Sequence, residues 1–136
     1  MDFQLQALMV GKLLLAAFFG GLIGYERERL YKPAGLRTHM LVCLGSALFT
    51  MLSFLAFPQD PARVASYVVM GIGFIGAGTV LQMREKVIGL TTAASLWTTA
   101  AIGMAIALEY YLVAIAMTAL VYLILKLAKI EKKKKK

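Results

Sequence analysis

Cysteine occurs once in this 136-residue chain, at Cys43, and histidine once, at His39. A single cysteine excludes an internal disulfide and any cluster of cysteine metal ligands. No serine, cysteine or lysine has a neighbouring base in the sequence, so the activated nucleophile of covalent catalysis is missing. Charge is also sparse: 16% of residues are charged and 60% are hydrophobic. Even a soluble domain of about 150 residues buries only about 70% of the surface its chain exposes. A chain this apolar therefore belongs in a lipid bilayer, and no soluble domain is expected.

Long apolar runs alternate with short charged clusters, each run near the roughly 20 residues that cross a bilayer as a helix. Five spans are predicted, over residues 3–25, 38–57, 64–83, 90–108 and 110–127, with a nine-residue lysine-rich tail at 128–136. The last two must be separate, because one helix over 90–125 would be about 54 Å long against a core of about 30 Å. The turn is expected near Glu109. All basic residues except Lys12 and Arg63 then fall on one side. The positive-inside rule makes that side cytoplasmic, with the N-terminus out and the C-terminus in. The first span follows Asp2 rather than basic residues and is too long for a cleaved signal.

The run "GIGFIGAG", Gly71 to Gly78, contains the G-x-G-x-x-G spacing of dinucleotide-binding turns. That fingerprint works only where a strand turns into a helix. Here it lies inside an apolar run, with no acidic residue about 20 positions on to take a ribose. The glycines are read as helix-packing residues: Gly71, Gly73, Gly76 and Gly78 in the third span, Gly20 and Gly24 in the first. Small residues at such spacings let helices approach closely. In the fourth span Thr91, Thr92, Ser95, Thr98 and Thr99 share one helical face. That stripe is either a set of interhelical and back-bonded hydroxyls or the wall of a polar pathway.

The linker "GYERERLYKPAGLRTH" is the densest polar stretch. Pro33-Ala34-Gly35 reads as a turn and Thr38 as the N-cap of the second span. Glu26 and Glu28 interrupt the basic residues, so an ionic cluster is expected there, with Arg84, Glu85 and Lys86 as further partners. At the other side Asp60 before Pro61 has the N-cap and N1 signature of a helix start. Lys12 either snorkels or pairs inside the bundle, with Asp60 as its candidate partner. Glu26 and Glu28 are a membrane thickness from Asp60, too far for one acid/base pair or one Mg²⁺ site. Neither enzyme activity nor a bound metal or cofactor is expected, and no nucleic-acid partner. The lysine tail is either a contact for anionic lipids or a disordered appendage.

The segments "GYERERLYKPAGLRTHMLVCLGSALFTMLS", "DPARVASYVVMGIGFIGAGTVL" and "GLTTAASLWTTAAIGMAIAL" together resemble the MgtC/SapB family of bacterial inner-membrane proteins. The resemblance implies an all-α, five-helix membrane domain. It marks Glu26, Arg27, Glu28, Arg37, Thr38 and His39 as a cytoplasmic motif, Asp60 and Arg63 as an outer one, and Gly73, Gly76 and Gly78 as a packing motif. It also implies a role in growth at low magnesium and in virulence, exerted through membrane partners such as the F-type ATP synthase. The family's cytoplasmic C-terminal domain has no counterpart in these 136 residues. The expected role is that of a non-enzymatic membrane regulator that binds itself or a larger complex; the alternative is an oligomeric channel or transporter.

Overall fold

The computed structural model describes residues 2–83 and 86–134. Five helices follow one another: α1 (Phe3–Arg29), α2 (Leu36–Ala56), α3 (Pro61–Ala77), α4 (Leu90–Ala107) and α5 (Tyr111–Lys134). Between α3 and α4 lie two short strands, β1 (Leu81–Met83) and β2 (Lys86–Ile88), paired antiparallel with Gln82 opposite Val87. Three helices, α1, α2 and α4, are long and apolar enough to cross a membrane, whereas α3 and the apolar part of α5 are shorter.

The hairpin corrects the expectation of a third span reaching residue 83. Gly76 and Gly78 weaken the helix, at about 1 kcal/mol each relative to alanine. The Thr79 hydroxyl then donates to the Gly76 carbonyl at 2.7 Å, and the Gly78, Thr79 and Val80 amides return to Phe74, Gly76 and Ala77. Gly89 carries the chain into α4 at φ +97°, where an added Cβ would strike the Thr79 carbonyl. Only glycine fits that junction. The turn expected near Glu109 is present, with Glu109 itself at φ +67°. α5 runs past residue 127 to Lys134, so the lysine run begins as helix. Arg84 and Glu85, and the tail lysines as lipid contacts, lie outside what is described.

α2 is the hub, packed against α1, α4 and α3, while α5 closes the side formed by α1 and α4. Ala16, Ile23, Cys43, Ala47, Ile102, Ile106 and Ala114 form the buried centre of that side. A smaller cluster of Ala34, Ile72, Leu96 and Ala100 holds α3 against α4. Glycine sets the spacing. A Cβ on Gly20 would lie 2.5 Å from the His39 carbonyl oxygen, and one on Gly24 2.7 Å from the Leu36 Cα. Gly103 on α4 lies equally close to the Cys43 carbonyl.

The glycines of α3 behave differently. A Cβ on Gly76 would lie 3.4 Å from that of Ala93, and one on Gly78 would meet only carbonyls of its own helix. At Gly71 and Gly73 an added Cβ would meet nothing within 4 Å, so neither glycine brings another helix of this chain close. Gly24→Ala is therefore expected to push α1 from α2 and lower the unfolding temperature in detergent by several degrees. Gly73→Ala should leave it unchanged or slightly raised; circular dichroism melts check both.

Candidate functional site

The basic ends of α1 and α2 meet the start of α4 around two residues that rarely sit in an apolar bundle. Arg27 is 2% exposed and His39 fully buried. The Arg27 guanidinium donates through Nη2 to the Thr92 hydroxyl at 2.7 Å. The His39 ring lies between the Gly35 carbonyl, 2.9 Å from Nδ1, and the Ser95 hydroxyl, 3.0 Å from Nε2. A carbonyl only accepts, so Nδ1 carries a proton. With the ring neutral, Nε2 then accepts from Ser95. The Ser95 hydroxyl also lies 2.8 Å from the Thr92 carbonyl. Its one proton has two acceptors to choose from.

Each participant is held by local structure. Gly20 and Gly24 bring α1 close enough to bury Arg27, and the α4 face fixes Thr92 and Ser95 three residues apart. Glu26 is also fully buried, and its charge attracts that of Arg27. Glu28 performs the capping expected of Thr38: its Oε2 accepts from the Leu36 amide at 2.8 Å. Gly35 occupies the N-cap position and has no side chain to offer. Thr38 lies within the first helical turn. Arg37 is exposed, as is Lys86 on β2.

Of the ionic cluster expected at this end, the described residues show the attraction between Glu26 and Arg27, while Arg84 and Glu85 lie outside them. Both ion pairs found among the described residues lie at the opposite end. Lys12 Nζ donates to Glu109 Oε1 at 2.8 Å and to the Ala107 carbonyl at 3.1 Å. This corrects the proposed Lys12–Asp60 pair: α1 packs on α4 and α5, which brings Lys12 to their corner. Asp60 does precede Pro61 at the N-cap position, but its carboxylate makes no capping bond. It faces Arg63 at 3.5 Å instead.

The α4 stripe divides in the same concrete way. Thr92 and Ser95 bond across helices, Thr98 and Thr99 donate to carbonyls of their own helix, and Thr91 is exposed. Sequence reasoning missed the Arg27–Thr92 and His39–Ser95 pairings, because partners 65 and 56 positions apart leave no local signal. It also missed Gly103, a lone glycine without a spaced companion on its helix.

Two charged expectations follow. Thr92→Val is isosteric but leaves the Arg27 guanidinium without its acceptor. A buried donor losing its partner costs about 1–3 kcal/mol, so the variant should melt measurably lower while Thr91→Val should not. At the other end, the Lys12 hydrogen bond and then its charge hold the Glu109 carboxyl below its ordinary 4.5. A carboxyl depressed in the folded chain contributes stability that is complete above its unfolded value and lost as pH falls through the folded one. Wild type should lose thermal stability below pH 4.5 more steeply than Glu109→Gln, in melts recorded across that range.

These features define a helical membrane-type bundle sealed by a buried polar contact at one end and an ion-paired corner at the other. The chain belongs to the MgtC family, whose model matches residues 13–133. It is 49% identical over 109 residues to the Escherichia coli K12 protein named "Putative magnesium transporter YhiD", covering 74% of this chain and 51% of that one. It is 43% identical to Protein MgtC of Salmonella typhimurium LT2, covering 80% and 47% respectively. Against Protein MgtC of Brucella abortus the identity is 46%, over 72% of this chain and 40% of the relative. The chain thus spans about half the length of the curated relatives it matches. No solved structure matches it.

Proposed function

We propose that this chain is a non-enzymatic, five-span protein of the bacterial inner membrane, N-terminus out and C-terminus in. It works by contact with other membrane proteins in adaptation to low magnesium or to stress within a host. Family membership supports the link to magnesium, through the name of the YhiD relative. The observation that carries the contact role is the engagement of the α4 hydroxyls. Thr92 and Ser95 bond to other helices, and Thr98 and Thr99 to their own. These four hydroxyls are engaged within the chain, which supports packing over a pathway wall.

The outer face of α3 is the surface offered to partners. Ser66, Met70, Gly73 and Ala77 follow at i, i+4, i+7 and i+11, and all are exposed. Small residues so spaced accept a neighbouring helix. The partner is a second copy or a larger inner-membrane complex, with the F-type ATP synthase the one the family resemblance suggests.

A transport reading is favoured by one observation, the charged Glu26 and Arg27 buried within α1. Charges within spanning helices commonly mark ion pathways. Crosslinking in native membranes with mass spectrometry separates the two. Gly73→Leu adds a side chain where the chain itself offers no contact, so the fold survives. A stoichiometric partner captured with wild type and lost with Gly73→Leu is the expected result. If no partner is captured, and reconstituted vesicles show ion flux that Arg37→Ala or Asp60→Asn alters, transport replaces the contact role.

A further inference from the structure

The α2–α3 side contains a groove that the buried polar contact does not explain. It has a volume of about 600 Å³ and is lined almost wholly by apolar groups, among them Val42, Phe49, Val68 and Ile72. Gly45 on α2 and Gly71 on α3 also line it, and a Cβ on either would meet nothing within 4 Å. Along α3 the lining runs from Val64 to Ile75, eleven residue steps or about 16 Å. That is close to one leaflet of a hydrocarbon core about 30 Å thick.

Above this groove the chemistry changes. Over the α2–α3 turn lies a second hollow of about 360 Å³, lined by Phe57, Pro58, Gln59, Asp60 and Arg63. Arg63 lines this second, mixed hollow and its neighbour Val64 the apolar groove, so the two follow one another along α3. The turn itself is fixed: the Ser53 hydroxyl donates to the Pro61 carbonyl at 2.6 Å and accepts from the Ala65 amide at 3.3 Å. Arg63 and Asp60 stand 3.5 Å apart, with side chains 64% and 55% exposed. Charge-assisted bonds close to about 2.7–2.9 Å, so both groups retain bonding capacity.

We propose that one phospholipid with an ammonium headgroup binds here, an acyl chain in the α2–α3 groove and its headgroup across Asp60 and Arg63. The phosphate is matched by the guanidinium, which favours paired bonds to phosphate oxygens. The ammonium is matched by the carboxylate. An anionic lipid without an amine can still set its phosphate on Arg63 but brings no cation to Asp60. Charge complementarity therefore selects phosphatidylethanolamine over phosphatidylglycerol. The groove's length fits a single leaflet's chain, and its two glycines make the room.

The test is native mass spectrometry of the full chain, reconstituted in vesicles of equal phosphatidylethanolamine and phosphatidylglycerol and released in mild detergent. Wild type is expected to retain one phosphatidylethanolamine, at least fivefold over phosphatidylglycerol. Gly45→Leu with Gly71→Leu should fill the groove and release the lipid, with helicity by circular dichroism unchanged. Asp60→Asn with Arg63→Gln should keep a lipid but lose the headgroup preference. A bare wild-type chain, equal retention by the leucine variant, or no headgroup preference in wild type overturns the proposal. So does a chain dimer, in place of a lipid, that the leucines dissolve.

Discussion

A guanidinium that is 2% exposed cannot stand alone among apolar helices. Moving such a charge out of water costs several kcal/mol, offset only by well-placed acceptors and a nearby opposite charge. Arg27 has Thr92 for the first and Glu26 beside it in the chain for the second. Nearly every other feature of the sealed side serves that placement. Gly20 and Gly24 admit α2, Gly103 admits α4, and Glu28 anchors the start of α2 by its own carboxylate. His39 and Ser95 continue the polar seam, so that α1, α2 and α4 are joined by directional bonds as well as by packing.

The opposite side has a different character. α3 packs chiefly against α2 and α4, and among its large apolar residues Tyr67, Met70 and Phe74 remain exposed. Its glycines, unlike those of α1, bring no helix of this chain closer at Gly71 and Gly73. One half of the molecule thus meets most of its polar and steric demands internally, while the other leaves apolar residues of α3 exposed.

Much of this architecture was legible in the sequence. Apolar run length located the five helices, and the length limit of a bilayer core required the turn at Glu109. The paired glycines of α1 signalled a close crossing because their spacing matches the helical repeat. In α3 the same signal at Gly71 and Gly73 meets no helix of this chain, since spacing reveals which residues share a face but not which neighbour lies against it. The hairpin escaped notice because its strands are three residues each, the first read as the end of a span and the second as part of a charged loop. Lys12 was legible as a residue in need of a partner. Its choice of Glu109 over Asp60 depended on which helices α1 packs against, and a single sequence does not encode that in any local pattern.

The wide separation of Arg27 from its acceptor has a consequence for biosynthesis. α1 and α2 emerge from the ribosome first, and domains assemble from the N-terminus as they are made. Their glycine-lined hairpin ends at Ala56, ahead of Thr92, which lies 65 residues downstream of Arg27 and reaches the membrane later. Until α4 arrives, the guanidinium must stay at the water boundary or draw on lipid phosphate. Insertion of α4 supplies the missing hydroxyl and turns a tolerated charge into a fixed one. A half-made chain therefore carries a marker of its own incompleteness, erased only when the fourth helix docks.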